Sequence, residues 1–277
     1  MPVDAFVLAL GSASLHALWN VLLARERDIH AATAVAMVAA VVAFAPIAAL
    51  RWDVDHRVWP YIALTSLLQL VYFGLLAVAY GRAELSFVYP VARGVAPVLV
   101  LVGGVVALGA GAGPGQVVGV CLVALGVVLV RGLAGPRDRL GLALGLSIAG
   151  VIAAYTLLDK EGIRYADPVV YLELSMVPAA AVYVLAIVVR RRAGALRELA
   201  AAVRPAPVGA GLLSFGAYAL VLAALARADA ASVAAVRETS VLIATGLAAW
   251  LLRERVGRGR LLGAALVVVG VALLALE

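Results

Sequence analysis

Arg93 stands in the stretch F-V-Y-P-V-A-R-G-V-A-P (residues 87–97), between two prolines and inside a long apolar run. An arginine at the centre of a lipid-spanning helix costs roughly 2.5–3.5 kcal/mol on insertion scales, so its side chain faces a cavity or a partner. Tyr89 and Pro97 lie four residues to either side, on the same helical face. Pro90 and Pro97 each remove a backbone donor, and the carbonyls they free are tolerated at depth only beside a cavity or other protein. The planar guanidinium fork matches two oxygens of a carboxylate or phosphate. The stretch therefore offers anion recognition from a bent helix, or an internal ion pair with Glu173 or Glu238 that locks two helices together.

Other apolar runs place polar groups at a helical period: Ser12, His16, Trp19 and Asn20 in one, Gln69, Tyr72 and Tyr80 in another. Ser147, Tyr155 and Asp159 follow in a third, Ser214 and Tyr218 in a fourth. With Arg93 they describe an aromatic-walled pocket holding hydrogen-bond donors and a fixed cation. His16 is a proton relay or a satisfied packing donor; Glu173 and Glu238 are the other candidates for proton coupling. Each of Trp19, Tyr72, Tyr155 and Tyr218, taken singly, also reads as core packing. Arg237 and Glu238 are adjacent, about 100° apart on a helix, so they meet separate partners and are read as structural. Asp159, Lys160 and Glu84 fall at span ends and are read as interfacial. Pro90, Pro97 and Pro178 are candidate hinges.

Signatures of other chemistry fail. G-R-G-R-L-L-G (257–263) has neither the strand nor the spacing of a dinucleotide loop, and no G-K-[ST] supplies a phosphate-binding loop. No His–Glu cluster and no paired carboxylates at one depth point to a metal or to acid–base catalysis. No cofactor, metal or enzymatic reaction is expected. Cys121, the single cysteine, lies in an apolar run and reads as a small core residue.

The elements that must carry these groups follow from composition. Hydrophobic residues make up 65% of the chain and charged ones 14%, with mean hydropathy +1.09. Soluble domains are nearer half apolar and about one quarter charged. The net charge of +6 comes from arginines in short gaps between apolar runs, the pattern of membrane loops rather than of a nucleic-acid surface. About 20 helical residues cross a bilayer, and ten stretches of that size are visible: 4–24, 31–50, 58–80, 84–107, 115–131, 140–160, 167–189, 207–226, 230–252 and 259–276. Barrel strands need only about 10 alternating residues, so these are helices. The first run has no Lys or Arg before it and is read as an uncleaved span. The gap 190–206 is either an interfacial helix or a solvated loop.

The spans repeat. A shift of 146 residues places Tyr72 on Tyr218 and Ser86 on Ser232; a shift of 144 places Gly119 on Gly263 and Gly126 on Gly270. A shift of 136 sets Trp19-Asn20 on Tyr155-Thr156. The expected organisation is two five-helix repeats, 1–134 and 137–277, the second inverted in the membrane because five is odd. Inverted repeats build transporters with a midplane site and alternating access. The glycine pairs lie seven residues apart on one face, where small residues allow close packing in lipid. Spans 5 and 10 are therefore read as scaffold.

H-A-L-W-N (16–20), A-Y-G-R-A-E-L-S-F-V-Y-P-V-A-R-G-V-A-P (79–97), A-A-Y-T-L-L-D-K (153–160) and A-R-A-D-A-A-S-V-A-A-V-R-E-T-S (226–240) resemble, in type and order, the EamA branch of the drug/metabolite transporter superfamily. The resemblance covers the whole chain. It implies ten helices around a central cavity bounded by spans 1, 3, 4, 6, 8 and 9, lined here by His16, Trp19, Asn20, Tyr72, Tyr89, Arg93, Tyr155, Tyr218 and Glu238. It further implies a bacterial inner-membrane carrier that exports small metabolites. Span 1 lacks the internal acid with which small multidrug exporters of that superfamily bind cations; Asp4 lies only at its edge. The expectation is thus an exporter of an amino acid or related carboxylate, with Arg93 holding the anion. Its partners are a small-molecule substrate and the bilayer, as a monomer or weak dimer. A multidrug exporter and a non-transporting assembly partner are the alternatives. The resemblance places both termini in the cytoplasm. The loops argue the reverse: five Lys and Arg fall on the face that carries the termini and fifteen on the other.

Overall fold

The computed structural model of the chain describes residues 1–24, 26–82, 85–131, 139–243, 246 and 257–276. Its helices are α1 (Val3–Ala24), α2 (Ile29–Leu50), α3 (Trp59–Arg82), α4 (Leu85–Leu108), α5 (Pro114–Arg131), α6 (Arg139–Gly162), α7 (Pro168–Arg191), α8 (Ala195–Ala202), α9 (Pro205–Leu225), α10 (Ala230–Arg237) and α11 (Arg258–Leu276). No strand is formed among the described residues; the extended backbone closes only the isolated bridge between Val54 and Ala166. In hydrocarbon every backbone polar group must be satisfied within its own segment, which the helix does. The 22 residues of α1 rise about 33 Å at 1.5 Å each, the thickness of a bilayer core.

Among the described residues seven helices are long and apolar enough to cross a membrane, and Pro114–Val130 and Leu261–Leu276 are shorter apolar helices. Large apolar side chains such as Leu50, Val106 and Val189 stand exposed on the outside, where lipid covers them. The eleven helices delimited exceed the ten stretches read from sequence because α8 fills the gap 190–206. It packs through Leu199 and Ala202 on Ala31 and Val35 of α2.

Helix ends are set by local chemistry. Asp28 caps α2, accepting from the Ala31 amide at 3.1 Å, and Asp167 caps α7 through the Val169 amide at 2.8 Å. Prolines open α5, α7 and α9, where a missing N–H is harmless. Helix α4 is continuous across Pro90 and Pro97; the side chain of Pro90 lies outside the described residues. Pro178 sits within α7. The interruption falls elsewhere. Helix α10 ends at Arg237, Glu238 is a turn, and helix resumes over 239–243. The other described residue beyond that point is 246, so the rest of that span, and Glu84 and the segment 132–138 between the repeats, lie outside the described residues.

Packing follows a pattern of exchanged pairs. Helix α1 lies on α9 as α3 lies on α6; α4 meets α6 as α10 meets α1; α2 meets α9 as α7 meets α3. Exchanging α1 with α6, α2 with α7, α3 with α9, α4 with α10 and α5 with α11 maps each of these contacts onto another. Three contacts join a helix to its own counterpart, α2 to α7, α4 to α10 and α5 to α11. At the α5–α11 crossing Gly119 faces Gly270 and Gly126 faces Gly263. A Cβ on Gly126 would come within 2.7 Å of the Gly263 carbonyl, and one on Gly270 within 2.7 Å of the Gly119 carbonyl. The two helices therefore run antiparallel with their backbones nearly touching, as the seven-residue glycine spacing allows.

A cation-lined cavity open at one end

Helices α1, α2, α3, α4, α6, α7, α9 and α10 enclose a cavity of about 880 Å³, within the range of small-molecule sites. His16, Trp19, Asn20, Tyr72, Tyr89, Arg93, Tyr155 and Tyr218 all border it; Glu238 and Glu173 do not. It also takes in Ser12, Gln69, His30, Tyr183, Arg190, Arg191 and Arg237.

The wall is ordered by short contacts. The Trp19 Nε1–H donates to His16 Nδ1 at 3.3 Å, which fixes that nitrogen as an acceptor and packs the rings edge to face at 5.0 Å. The Asn20 amide donates to the His16 carbonyl at 2.7 Å. Tyr155 and Tyr218 meet edge to face, centroids 6.3 Å apart.

Charge is distributed unevenly. Four arginines and two histidines border the cavity, and no Asp or Glu does among the described residues. The acids stand behind the wall. Glu238, 2% exposed, places Oε2 3.0 Å from Arg93 Nε, and Arg93 Nη2 reaches Ser240 Oγ at 3.4 Å. Arg93 thus borders the cavity while tying α4 to the break after α10, the second of the two roles its sequence context allowed. Glu173 is buried in α7 with Oε2 unpaired.

Asp159 corrects the reading from span position. It is fully buried, not interfacial. Thr65 Oγ1 and Tyr171 OH donate to Oδ1 at 2.8 and 2.9 Å, and Tyr218 OH donates to Oδ2. Its place three residues from the end of α6 did not reveal its burial, because the hydroxyls that enclose it come from α3, α7 and α9. Lys160 is half-buried and gives its ammonium to the Leu225 and Ala228 carbonyls at 2.5 and 3.0 Å, capping α9 rather than facing headgroups.

Among the described residues the cavity opens at one end. Its lining reaches exposed Ile29, His30 and Arg190, where Arg191 pairs with Asp28 and Glu198 and Arg204 with Glu26. No residue of the opposite loops lines it. There the Asp55 amide donates to the Tyr165 carbonyl at 2.8 Å and the Asp167 amide to Asp53 at 3.1 Å. Arg51 pairs with Asp167 at 3.0 Å, and Tyr61 stacks on Tyr165. These contacts close the α2–α3 loop onto the α6–α7 loop. On the same face Arg227 pairs with Asp4 at 3.0 Å. Arg57 holds the Asp55 carboxyl well below the usual carboxylate range by hydrogen bonding and charge.

Arg237, Arg190 and the helix break are what the sequence reading missed as cavity features. The break had a signal: R-E-T-S (237–240) puts four polar residues together inside an apolar run. Arg190 had none beyond its charge, since its place at the mouth depends on how α7 packs.

The sequence pattern of the EamA-like transporter family matches residues 5–132 and again residues 139–276. The chain belongs to that family and is a multi-pass membrane transporter of the drug/metabolite type, built from two copies of the family's unit. Among curated proteins, none matches the chain. A solved crystal structure aligns over 100% of this chain and 98% of its own, with a TM-score of 0.78 at 15% identity. At that identity the likeness shows the fold alone.

Proposed function

We propose that the protein is a secondary transporter that moves a small organic metabolite bearing an anionic or zwitterionic group, an amino acid or related carboxylate, out of a bacterial cell across its inner membrane. The observation that carries this reading is the cavity wall: four arginines, the eleven other polar or aromatic groups named above, and no described carboxylate. A site of that charge attracts anions and rejects cations, which speaks against a cationic-drug exporter. Rings of Trp19, Tyr72, Tyr89, Tyr155 and Tyr218 suit an organic body, and Asn20 and His16 supply polar selectivity.

In this reading ten spans form two inverted repeats, 1–134 and 137–277, and alternate access about the cavity. Pro90, Pro97 and Pro178 are the hinge positions, and His16, Glu173 and Glu238 the candidates for coupling protons. The open mouth lies on the face that carries fifteen Lys and Arg against five on the other. Under the positive-inside rule that face is cytoplasmic, so the cavity is open to the inside, a state that an exporter visits to load and an importer visits to release.

The test is uptake into proteoliposomes of labelled amino acids, mono- and dicarboxylates, and cationic dyes. Saturable movement of carboxylates without dyes supports the reading; movement of dyes alone, or of nothing, removes it.

A further inference from the structure

Three of the four cavity arginines are accounted for. Arg93 faces Glu238 at 3.0 Å. Arg191 binds Asp28 and Glu198. Arg190 is exposed at the mouth, where water solvates it. Arg237 differs. It is 6% exposed and borders the cavity, and its Nε, like that of Arg93, has no hydrogen-bond partner; what it lacks is the ion pair that Arg93 has. No acid lies within ion-pair distance of it among the described residues. Its guanidinium sits 5.9 Å from the Tyr218 ring centroid and against the Tyr155 hydroxyl. The nearby acid whose field it feels is Asp159, already taken by three hydroxyls.

A buried guanidinium cannot shed its proton, and leaving it unpaired costs folding energy that paired charges avoid. Arg237 is the last residue of α10, where the free carbonyls of a helix end favour a cation, so the broken helix helps hold the charge. That supports its presence and leaves Nε unfilled. The residue borders the cavity, so a partner from outside the chain reaches the guanidinium there.

We propose that Arg237 receives the carboxylate of the transported solute, with Tyr155 and Tyr218 flanking it, and that Arg93 is a positioning residue held by Glu238. The proposal rests on the transport reading above and names the group in that site that selects the solute. The planar fork binds a carboxylate through two parallel N–H···O bonds. The carboxylate is attached to an organic body because aromatic rings, not further cations, surround the fork. Arg190 at the mouth draws the same anion in.

The full chain is purified in detergent and its melting followed by tryptophan fluorescence, with benzoate against benzamide, phenylalanine against phenylalaninamide, succinate, and inorganic phosphate. Benzoate, phenylalanine or succinate raises the melting temperature of the wild type, and the amides do not. Arg237→Gln abolishes that rise, weakening the apparent affinity at least tenfold. Its ligand-free melting temperature stays at or above that of the wild type, because an unpaired buried charge has been removed. Arg237→Lys keeps part of the response. The assignment is overturned if Arg237→Gln still responds, if its ligand-free form melts several degrees lower, if phosphate alone responds, or if no carboxylate does. Liposome uptake is scored separately. Carboxylate binding without uptake sinks the transport reading and leaves the site. Carboxylate uptake undiminished in Arg237→Gln sinks the site and leaves transport.

Discussion

Removing either member of the Arg93–Glu238 pair should cost more than removing both. Breaking a buried ion pair by removing one partner costs about 3–5 kcal/mol, because a charge is left in a poorly solvated place. Arg93→Gln leaves the Glu238 carboxylate without the guanidinium 3.0 Å away, and Glu238→Gln leaves Arg93, whose guanidinium cannot shed its proton. Each single variant is expected to lose about 3–5 kcal/mol at pH 7, and the double variant to return to within about 1 kcal/mol of wild type. Melting of the purified protein in detergent, run as a double-mutant cycle, reads this directly. An Arg93→Gln protein as stable as wild type at pH 7, or a double variant as unstable as the sum of the singles, refutes the argument that the pair is a structural lock.

Three shorter predictions follow. Gly126→Ala would bring a methyl to 2.7 Å from the Gly263 carbonyl, and overpacking of that kind costs about 1–3 kcal/mol. Gly150→Ala meets nothing within 4 Å and should be neutral or gain up to about 1 kcal/mol of helix propensity; thermal melting of the two variants separates them. The Asp28 carboxyl is held at about 2 by the hydrogen bond from Arg191, below its ordinary 3.8. Its contribution is therefore present above pH 3.8 and lost as pH falls through about 2; exposure keeps it small. Asp28→Asn, which still caps a helix, should differ from wild type in melting temperature above about pH 5 and coincide with it in strong acid. With Cys121→Ala as background, Arg164→Cys and Arg197→Cys report orientation. A membrane-impermeant maleimide applied to intact cells should label the first and spare the second; the reverse pattern overturns a cytoplasmic cavity mouth.

Much of the frame was legible before any coordinates because lipid leaves few options. Spans of about 20 apolar residues can only be helices, so nine of the ten stretches reappear as helices within a few residues of their expected ends; 230–252 is broken at Glu238, and most of it beyond residue 243 lies outside the described residues. The glycine spacing in the fifth and last spans named an interface because only small residues let two backbones meet at Gly126 and Gly263. The cavity wall was legible for the same reason: polar groups at helical period in lipid must face inward, and His16, Asn20, Tyr72, Tyr155 and Tyr218 do. What sequence could not supply was partnership. Arg93 and Arg237 are alike as letters; that one meets Glu238 and the other, among the described residues, no acid is decided by how α4 packs against the break after α10. Asp159 was misplaced because position along its own helix does not show the hydroxyls that Thr65, Tyr171 and Tyr218 bring to it from other helices.

The disposition of the acids bears on mechanism more than their number does. Asp159 is walled from the cavity by the Tyr218 hydroxyl that binds it, and Glu238 is masked by Arg93. Both therefore act on the solute only through a cationic or hydroxyl intermediary, so an arriving anion meets no repulsion while the interior stays near charge balance. Tyr218 is shared by both arrangements, since it binds Asp159 through its hydroxyl and lies beneath Arg237 through its ring. A carboxylate that draws Arg237 toward itself would lift the cation off that ring and change the balance of forces on Tyr218. Tyr218 belongs to α9, and α9 packs against α1 and α2 of the other repeat. Binding at Arg237 is thereby connected, through one side chain, to the contact between repeats that has to change when the cavity closes at one end and opens at the other.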